Sequence, residues 1–259
     1  MATAPPDGPY LLDHVAFGVP DVAAVTPFLV GELGGCPLAA GPGIGFLWWQ
    51  WEFARGGALE VLQPQGLPDG FVQRFLEAHG PGIHHVTFKV PDLAVAAARV
   101  RSLGYDIVGY SDEFPGWKEC FLHPKQAQGI VVQLAESHPE LEPEEMHDLA
   151  FPASPAAPAE PADVVGLRVS ATSEKQARRL WETVLGGACE MGPEGLCFRW
   201  PDAPLRIAVH VDPAAPEGPL AIEIAAPLPR TLPEGPHPVL GASFVAALSD
   251  APSPVATSA

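Results

Sequence analysis

A stretch of about 25 residues recurs three times along the chain, and this repeat constrains the fold more than any other feature. The copies begin "LLDHVAFGVPD", "GIHHVTFKVPD" and "DVVGLRVSATS", at residues 11, 82 and 163. Each copy opens with alternating apolar residues, which are typical of a strand, and continues into a helix that ends at a glycine. Further alternating segments follow each helix, so the repeat predicts a β-α-β-β-β module present three times.

One such module has an open, half-exposed sheet, whereas two modules side by side can curl into a cup. We therefore predict an α+β fold in which paired βαβββ modules form a cup-shaped sheet, with a third, degenerate βαβββ module. The predicted segments are a two-module domain at 8–136, a Pro/Ala-rich acidic linker at 137–162, the third module at 163–248 and a disordered tail at 249–259.

The charge balance limits the classes of partner. The chain has 14 Lys and Arg against 31 Asp and Glu, a net charge of −17, which should repel nucleic acids and anionic lipid surfaces. The sequence has no apolar run of transmembrane length, and its start lacks a secretory signal pattern. The four cysteines form no CxxC pair, which argues against a structural zinc site of the finger type. We expect a cytosolic protein with a small-molecule partner and no nucleic-acid or membrane partner.

Polar residues occupy matching positions in the first two modules. His14 and His85 lie on the opening strands, and Glu60 and Gln133 lie in the middle of the last strands. A buried, unpaired carboxylate is very costly, so these groups need partners. Neighbouring residues on a strand point to opposite faces, so His84 is expected to face away from His85.

Two imidazoles, a carboxylate and an amide oxygen can form an octahedral metal site with two open positions. Nitrogen and oxygen ligands of this kind suit Fe, Co, Ni, Mn or Zn as divalent ions. A single histidine on a sheet is usually structural, but four polar residues at matching places in two repeats favour metal binding.

The first half of the chain resembles the vicinal oxygen chelate superfamily, most closely its methylmalonyl-CoA epimerase-like members. The segments that carry the resemblance are "LDHVAFGVPD", "LEVLQP", "FLEAHGPGIHHVTFKVPDL" and "CFLHPKQAQGIVVQLAE". The resemblance implies a metal held by His14, Glu60, His85 and Gln133. The epimerases have Gln where Glu60 stands and Glu where Gln133 stands, so here the carboxylate is in the other half of a pseudo-symmetric site.

The resemblance also implies proton transfer beside a metal-chelated carbonyl, as in methylmalonyl-CoA or a related acyl compound. An epimerase needs an acid and a base on opposite faces of the substrate. Glu60 is one candidate and Glu52 the other. A three-residue turn between their strands would pair Glu52 with Glu60, whereas a two-residue turn would point Glu52 outward.

Two further features suggest ligand contacts. Lys125, in "HPKQAQG", is either an ordinary loop lysine or a contact for a phosphate or carboxylate. Trp48, Trp49 and Trp51 form either a cavity wall or part of the core.

The third module lacks the ligand pattern. Gly166 aligns with the two histidines and Glu223 with Glu60. This module is expected to pair with its copy in a homodimer or to pack against the first domain. Three functional alternatives stay open: a glyoxalase-type lyase, an Fe(II) ring-cleaving dioxygenase, and a non-catalytic small-molecule binding protein.

Overall fold

The fold consists of two mixed β-sheets with a few short helices. The computed structural model describes residue 5 and residues 7–141, 149–154, 157–192, 195–225 and 232–247. The predicted tail at 249–259 and parts of the predicted linker lie outside these residues.

The first sheet has eight strands in the order β2-β3-β4-β1-β5-β8-β7-β6. Its strands are β1 Leu11–Gly18, β2 Cys36–Gly43, β3 Phe46–Glu52, β4 Ala58–Pro64, β5 Gly82–Lys89, β6 Ile107–Ser111, β7 Trp117–Leu122 and β8 Val131–Ser137.

The strand order of this sheet is symmetric about its centre. β1 and β5 pair in an antiparallel fashion, and each is flanked by a parallel partner, β4 for β1 and β8 for β5. Each half of the sheet is therefore one module, and the two halves are related by a pseudo-twofold axis between β1 and β5. This confirms the predicted pairing of the first two modules.

The helices are α1 Thr26–Leu29, α2 Phe71–His79, α3 Leu93–Ser102 and α4 Glu174–Ala177, which continues into a π-helical segment, Arg178–Val184. The Asp21 carboxylate accepts a hydrogen bond from the backbone N–H of Ala23, and Asp92 accepts one from Val95. Asp92 thereby caps α3, whereas Asp21 caps a 3₁₀ turn, Val22–Ala24, that comes before α1. α1 has only four residues.

The second sheet has six strands in the order β10-β11-β12-β9-β13-β14. They are β9 Val164–Ala171, β10 Ala188–Gly192, β11 Gly195–Arg199, β12 Arg206–Val211, β13 Gly218–Ile224 and β14 Ser243–Ala246. The third module is thus β9-α4-β10-β11-β12.

The last two strands correct the alignment of this module. β13 pairs with β9 in an antiparallel fashion, as β5 pairs with β1, and β14 lies parallel to β13, as β8 lies parallel to β5. They therefore form a two-strand part of a fourth module, and the third module is paired within its own chain. Glu223 lies on β13 and is not the counterpart of Glu60, because the strand equivalent to β4 is β12.

The two sheets share one hydrophobic core. Phe88 on β5 is fully buried, and its ring packs against Trp200 at 4.8 Å and near Trp181 at 6.5 Å, between ring centroids. The Trp181 indole N–H donates to Gln128 Oε1 at 2.6 Å. The third module thus packs against the first domain, which is the second of the two predicted arrangements.

The described part of the predicted linker lies along the first domain. The backbone N–H of Ala162 donates to the Leu33 carbonyl oxygen at 2.8 Å, and the Trp49 indole N–H donates to the Ala150 carbonyl oxygen at 3.1 Å. Separately, none of the helices in the described residues is long and apolar enough to span a bilayer.

A pair of glycine substitutions tests the contact between the sheets. Gly129 and Gly66 have nearly equal positive φ angles, +75° and +77°. A Cβ at Gly129 would overlap the Glu217 carbonyl oxygen, whereas a Cβ at Gly66 would have no atom within 4 Å. Both alanine variants should lose about 1–2 kcal/mol from the left-handed conformation. Gly129→Ala should lose about 1–3 kcal/mol more from overpacking, measured by urea unfolding. Equal losses would mean that the contact does not form.

Candidate metal centre

Two β-bulges orient the histidines of the central strands. The pairing of β1 with β5 skips Asp13, so His14 lies opposite Thr87, and it skips His84, which comes directly before His85. A bulge inserts one residue and re-aims the neighbouring side chains. The two bulges are at equivalent positions of the two modules, so the symmetry of the repeat extends to the local distortion.

Three potential ligand atoms converge on one face of the first sheet, called the site face below. Glu60 Oε2 lies 3.5 Å from His14 Nε2 and 3.6 Å from His85 Nε2. All three side chains are buried, and their ligand-type atoms lie within 4.8 Å of one another. Sequence reasoning had selected these three residues, and the fold brings them together.

Gln133 joins this cluster through a threonine that sequence reasoning missed. The Thr87 hydroxyl donates to Gln133 Oε1 at 2.6 Å and lies 3.0 Å from His14 Nε2. Thr87 is two residues after His85 on the same strand, so strand alternation could have indicated it. The Thr87 hydroxyl thus links the Gln133 amide of the second module to the His14 imidazole of the first.

The two histidines differ in their protonation. Burial lowers the pKa of His14, but the Glu60 and Asp13 carboxylates outweigh burial and raise it to about 9. Burial lowers the pKa of His85 well below its ordinary value, and the nearby His84 and His14 rings lower it further. A cation that binds through His14 Nε2 must therefore displace a proton.

The donor set fits a divalent metal. His85 Nε2 is a buried nitrogen without a hydrogen-bond partner, which is unusual in folded proteins and costs free energy unless another ligand compensates. Two imidazole nitrogens and a carboxylate oxygen, with the Gln133 amide nearby, are ligands that Fe, Co, Ni, Mn and Zn ions accept.

The β3–β4 hairpin follows neither predicted register. A 3₁₀ turn, Ala54–Gly56, lengthens the connection, so Gln50 lies opposite Glu60, and Glu52 lies opposite Ala58. The Gln50 amide donates to Glu60 Oε1 at 3.1 Å, while Glu52 is exposed. Glu52 therefore does not pair with Glu60, because the turn contains more residues than either of the two predicted loops.

A second carboxylate lies on the site face where sequence reasoning did not look. Glu119 Oε2, on β7, accepts hydrogen bonds from the Gln133 amide at 2.6 Å and from the Trp117 indole at 3.0 Å. Burial raises the pKa of Glu119, and the charge of Glu60 adds to this effect. Glu60 and Glu119 thus belong to opposite modules and interact electrostatically.

Strict alternation predicted that His84 faces away from the site, but its side chain does not. Its ring packs against Phe71 and Phe75 of α2, with ring centroids 5.2 and 4.9 Å apart, and Phe71 also packs near Leu62 on the site face. His84 Nδ1 lies 2.9 Å from His85 Nδ1. The bulge breaks the alternation, although His84 is not among the three clustered residues.

The remaining sequence candidates lie farther out. Lys125 is exposed in the turn between β7 and β8. Trp49 and Trp51 are buried in the core shared by the sheets, whereas Trp48 is partly buried near Leu62 on the site face. Only one of the three tryptophans can therefore line the site.

The second sheet contains no comparable metal-ligand cluster among its described residues. Gly166 replaces the histidine, with Arg206 and Glu223 opposite it on the flanking strands. The buried Glu223 carboxylate accepts hydrogen bonds from Arg206 Nε at 2.7 Å and Arg168 Nε at 2.8 Å. Guanidinium groups thus neutralise the carboxylate there.

A cavity of about 440 Å³ lies at the ends of β5 and β8, where the second sheet meets the first. Its lining includes His84 and Val131 from the first sheet and Pro219 and Leu220 from the second. The cavity surface is polar and apolar in nearly equal parts, and His84, which lines it, precedes His85 of the metal-ligand cluster.

Comparisons with known proteins agree with this geometry. The ethylmalonyl-CoA/methylmalonyl-CoA epimerase of Cereibacter sphaeroides is 29% identical over 133 residues, which cover 48% of this chain and 95% of that protein. The uncharacterized protein YqjC of Bacillus subtilis is 32% identical over 83 residues, covering 30% and 56%. A mutant 4-hydroxymandelate synthase from Streptomyces coelicolor is 16% identical, covers 84% of this chain and 71% of that one, and has a TM-score of 0.59, a likeness of fold.

Residues 13–121 match the model of the Glyoxalase/Bleomycin resistance protein/Dioxygenase superfamily. This range contains His14, Glu60 and His85 and both bulges. Over this range the chain is therefore similar to the glyoxalase/bleomycin resistance/dioxygenase superfamily, the vicinal oxygen chelate proteins.

Proposed function

We propose that this protein is a metal-dependent isomerase that transfers a proton next to the carbonyl of an acyl thioester, with methylmalonyl-CoA as the first substrate to test. The observation that carries the proposal is the buried His14–Glu60–His85 cluster, in which His85 Nε2 has no hydrogen-bond partner. The likeness to an epimerase of ethylmalonyl-CoA and methylmalonyl-CoA supports the substrate class.

His14, Glu60, His85 and Gln133 would hold one divalent ion, of Co, Ni, Mn, Zn or Fe. Such an ion supplies Lewis-acid stabilisation of the negative charge that develops on the substrate's carbonyl oxygen. The protein groups supply the rest. Thr87 orients the Gln133 oxygen, and the burial of the cluster excludes water from the reacting atoms.

Glu60 is the proposed base, and it would double as a ligand that loosens during turnover. Its Oε1 is held by the Gln50 amide at 3.1 Å, and its Oε2 faces both histidines. A carboxylate held in this way has a defined direction from which to remove a proton, which is the geometric requirement for general-base catalysis.

Glu119 is the proposed second acid–base group, in place of Glu52. It lies in the opposite module, and its hydrogen bond to Gln133 fixes it beside the cluster. Removal of the α-proton by one carboxylate, followed by delivery of a proton from the other, protonated carboxyl group on the opposite face, would invert the configuration of the carbon.

The substrate is expected to extend from the cluster toward the cavity. The apolar walls at Val131, Pro219 and Leu220 suit an acyl or pantetheine chain. Lys125, exposed at the β7–β8 turn, is the proposed contact for a phosphate group of the substrate. A homodimer and a cytosolic location stay predictions.

The metal proposal predicts one divalent ion per chain in the purified protein. His85→Ala should bind it at least about 100-fold more weakly, since even residues behind a ligand are worth 10–100-fold in affinity. The measurements are elemental analysis and titration with Co(II). His79→Ala removes an exposed imidazole of the neighbouring helix and should bind as the parent does. Equal metal content in the parent and His85→Ala would rule out this site.

The base proposal predicts that Glu60→Gln keeps part of the metal, because an amide oxygen can still coordinate. Exchange of the substrate's α-proton in D₂O should fall by about 10²–10⁴, the usual contribution of a general base. Mass spectrometry of the thioester measures the exchange. An unchanged rate in metal-loaded Glu60→Gln would contradict the role. Oxygen uptake with a catechol and Fe(II) would instead indicate the dioxygenase.

The two-carboxylate proposal predicts a split between two activities. Glu119→Gln should lose epimerisation by about 10²-fold or more yet still exchange the α-proton of the epimer whose proton faces Glu60. The matched variant is Glu52→Gln, in which the exposed carboxylate is lost and both activities should persist. The reverse pattern would return the role to Glu52.

A further inference from the structure

The preceding residue holds each ligand histidine of the cluster at Nδ1. Asp13 Oδ2 lies 2.8 Å from His14 Nδ1, and His84 Nδ1 lies 2.9 Å from His85 Nδ1. Both preceding residues are the ones skipped in the β1–β5 pairing. The two modules therefore use the same geometry with different chemistry, a carboxylate in one and an imidazole in the other.

The hydrogen bond between Asp13 and His14 can have only one donor. An ionised carboxylate is purely an acceptor, so His14 Nδ1 must carry the hydrogen. The lone pair of His14 Nε2 then becomes available to a cation once the proton on that nitrogen leaves. This is the usual arrangement of a metal-binding histidine, in which the other ring nitrogen donates to an outer partner.

The hydrogen bond between His84 and His85 can run in either direction, because each imidazole can donate or accept at Nδ1. If His84 donated, His85 would carry its hydrogen on Nε2, a buried atom that has no hydrogen-bond partner. If His85 donates, its Nε2 presents a lone pair toward the position between the two histidines and Glu60. Only the arrangement in which His85 donates leaves its Nε2 able to bind a cation.

We propose that His84 is a positioning residue that accepts the Nδ1–H of His85 and thereby holds His85 in its metal-binding tautomer. The inference rests on the proposed metal site but concerns a residue outside the ligand set. The aromatic packing of His84 against Phe71 and Phe75 fixes the ring for this role. His84 is thus the functional counterpart of Asp13.

Three variants separate hydrogen bonding from packing. His84→Phe keeps the aromatic contact with α2 and loses the acceptor. His84→Asn loses much of the ring packing and keeps an acceptor, since its side-chain oxygen can take the place of Nδ1. His79→Phe changes another imidazole that packs on Phe75, at a ring-centroid distance of 5.3 Å, and serves as the matched control.

The affinity for Zn(II) or Co(II) is the first measurement, with circular dichroism to verify that each variant is folded. His84→Phe should bind about 10–100-fold more weakly, the range found when a partner behind a ligand is removed. His84→Asn should bind within a few-fold of the parent, and His79→Phe should be unchanged. Equal loss of metal affinity in His84→Phe and His84→Asn, or no loss in His84→Phe, would overturn the proposal.

The tautomer itself is the second measurement, and it does not require metal. Nitrogen-15 NMR of the histidine rings in the metal-free protein should show His85 protonated at Nδ1 and unprotonated at Nε2, with this preference lost in His84→Phe. Protonation of His85 at Nε2 in the parent would overturn the inference. If the parent binds no metal, the proposed function fails, while the NMR result still decides the role of His84.

Discussion

The antiparallel pairing of β1 with β5 is the constraint on which the site depends. These strands lie at the centre of the first sheet, and each brings one histidine to the site face. Their parallel partners bring Glu60 and Gln133 to the same place, since Ala16 lies beside Glu60 and Thr87 beside Gln133. A one-residue slip would move a whole strand's side chains to the other face, so the backbone hydrogen bonds that fix this register also assemble the ligands.

The second sheet repeats the central pairing without the chemistry. β9 and β13 meet as β1 and β5 do, but Gly166 offers no side chain, and Glu223 is held by two arginines. A buried carboxylate needs a nearby positive charge. In the first sheet, protonated His14 can provide that charge in the absence of a cation; in the second, arginine provides it permanently. The second sheet thus keeps the fold, and arginine side chains neutralise its buried Glu223 without a metal.

The second sheet also contributes to the first. Phe88, the residue directly after Thr87 of the site, is covered by Trp200, and the cavity beside His84 is closed partly by Pro219 and Leu220. The buried aromatic contacts link the site's strand to the shared core, so loss of packing there is expected to disturb the histidine geometry as well as stability.

The sequence by itself determined the pairing of the first two modules and three of the clustered residues, because strand alternation and the repeat are local patterns. Only the tertiary structure decided the orientation of His84, the partner of Glu60 and the presence of Glu119 beside Gln133. Each depends on how a strand pairs with a distant one: a bulge added at His84, a longer turn before β4, and the packing of β7 against β8. Such pairings arise from hydrogen bonds between residues far apart in the chain, which a local pattern of side chains does not encode.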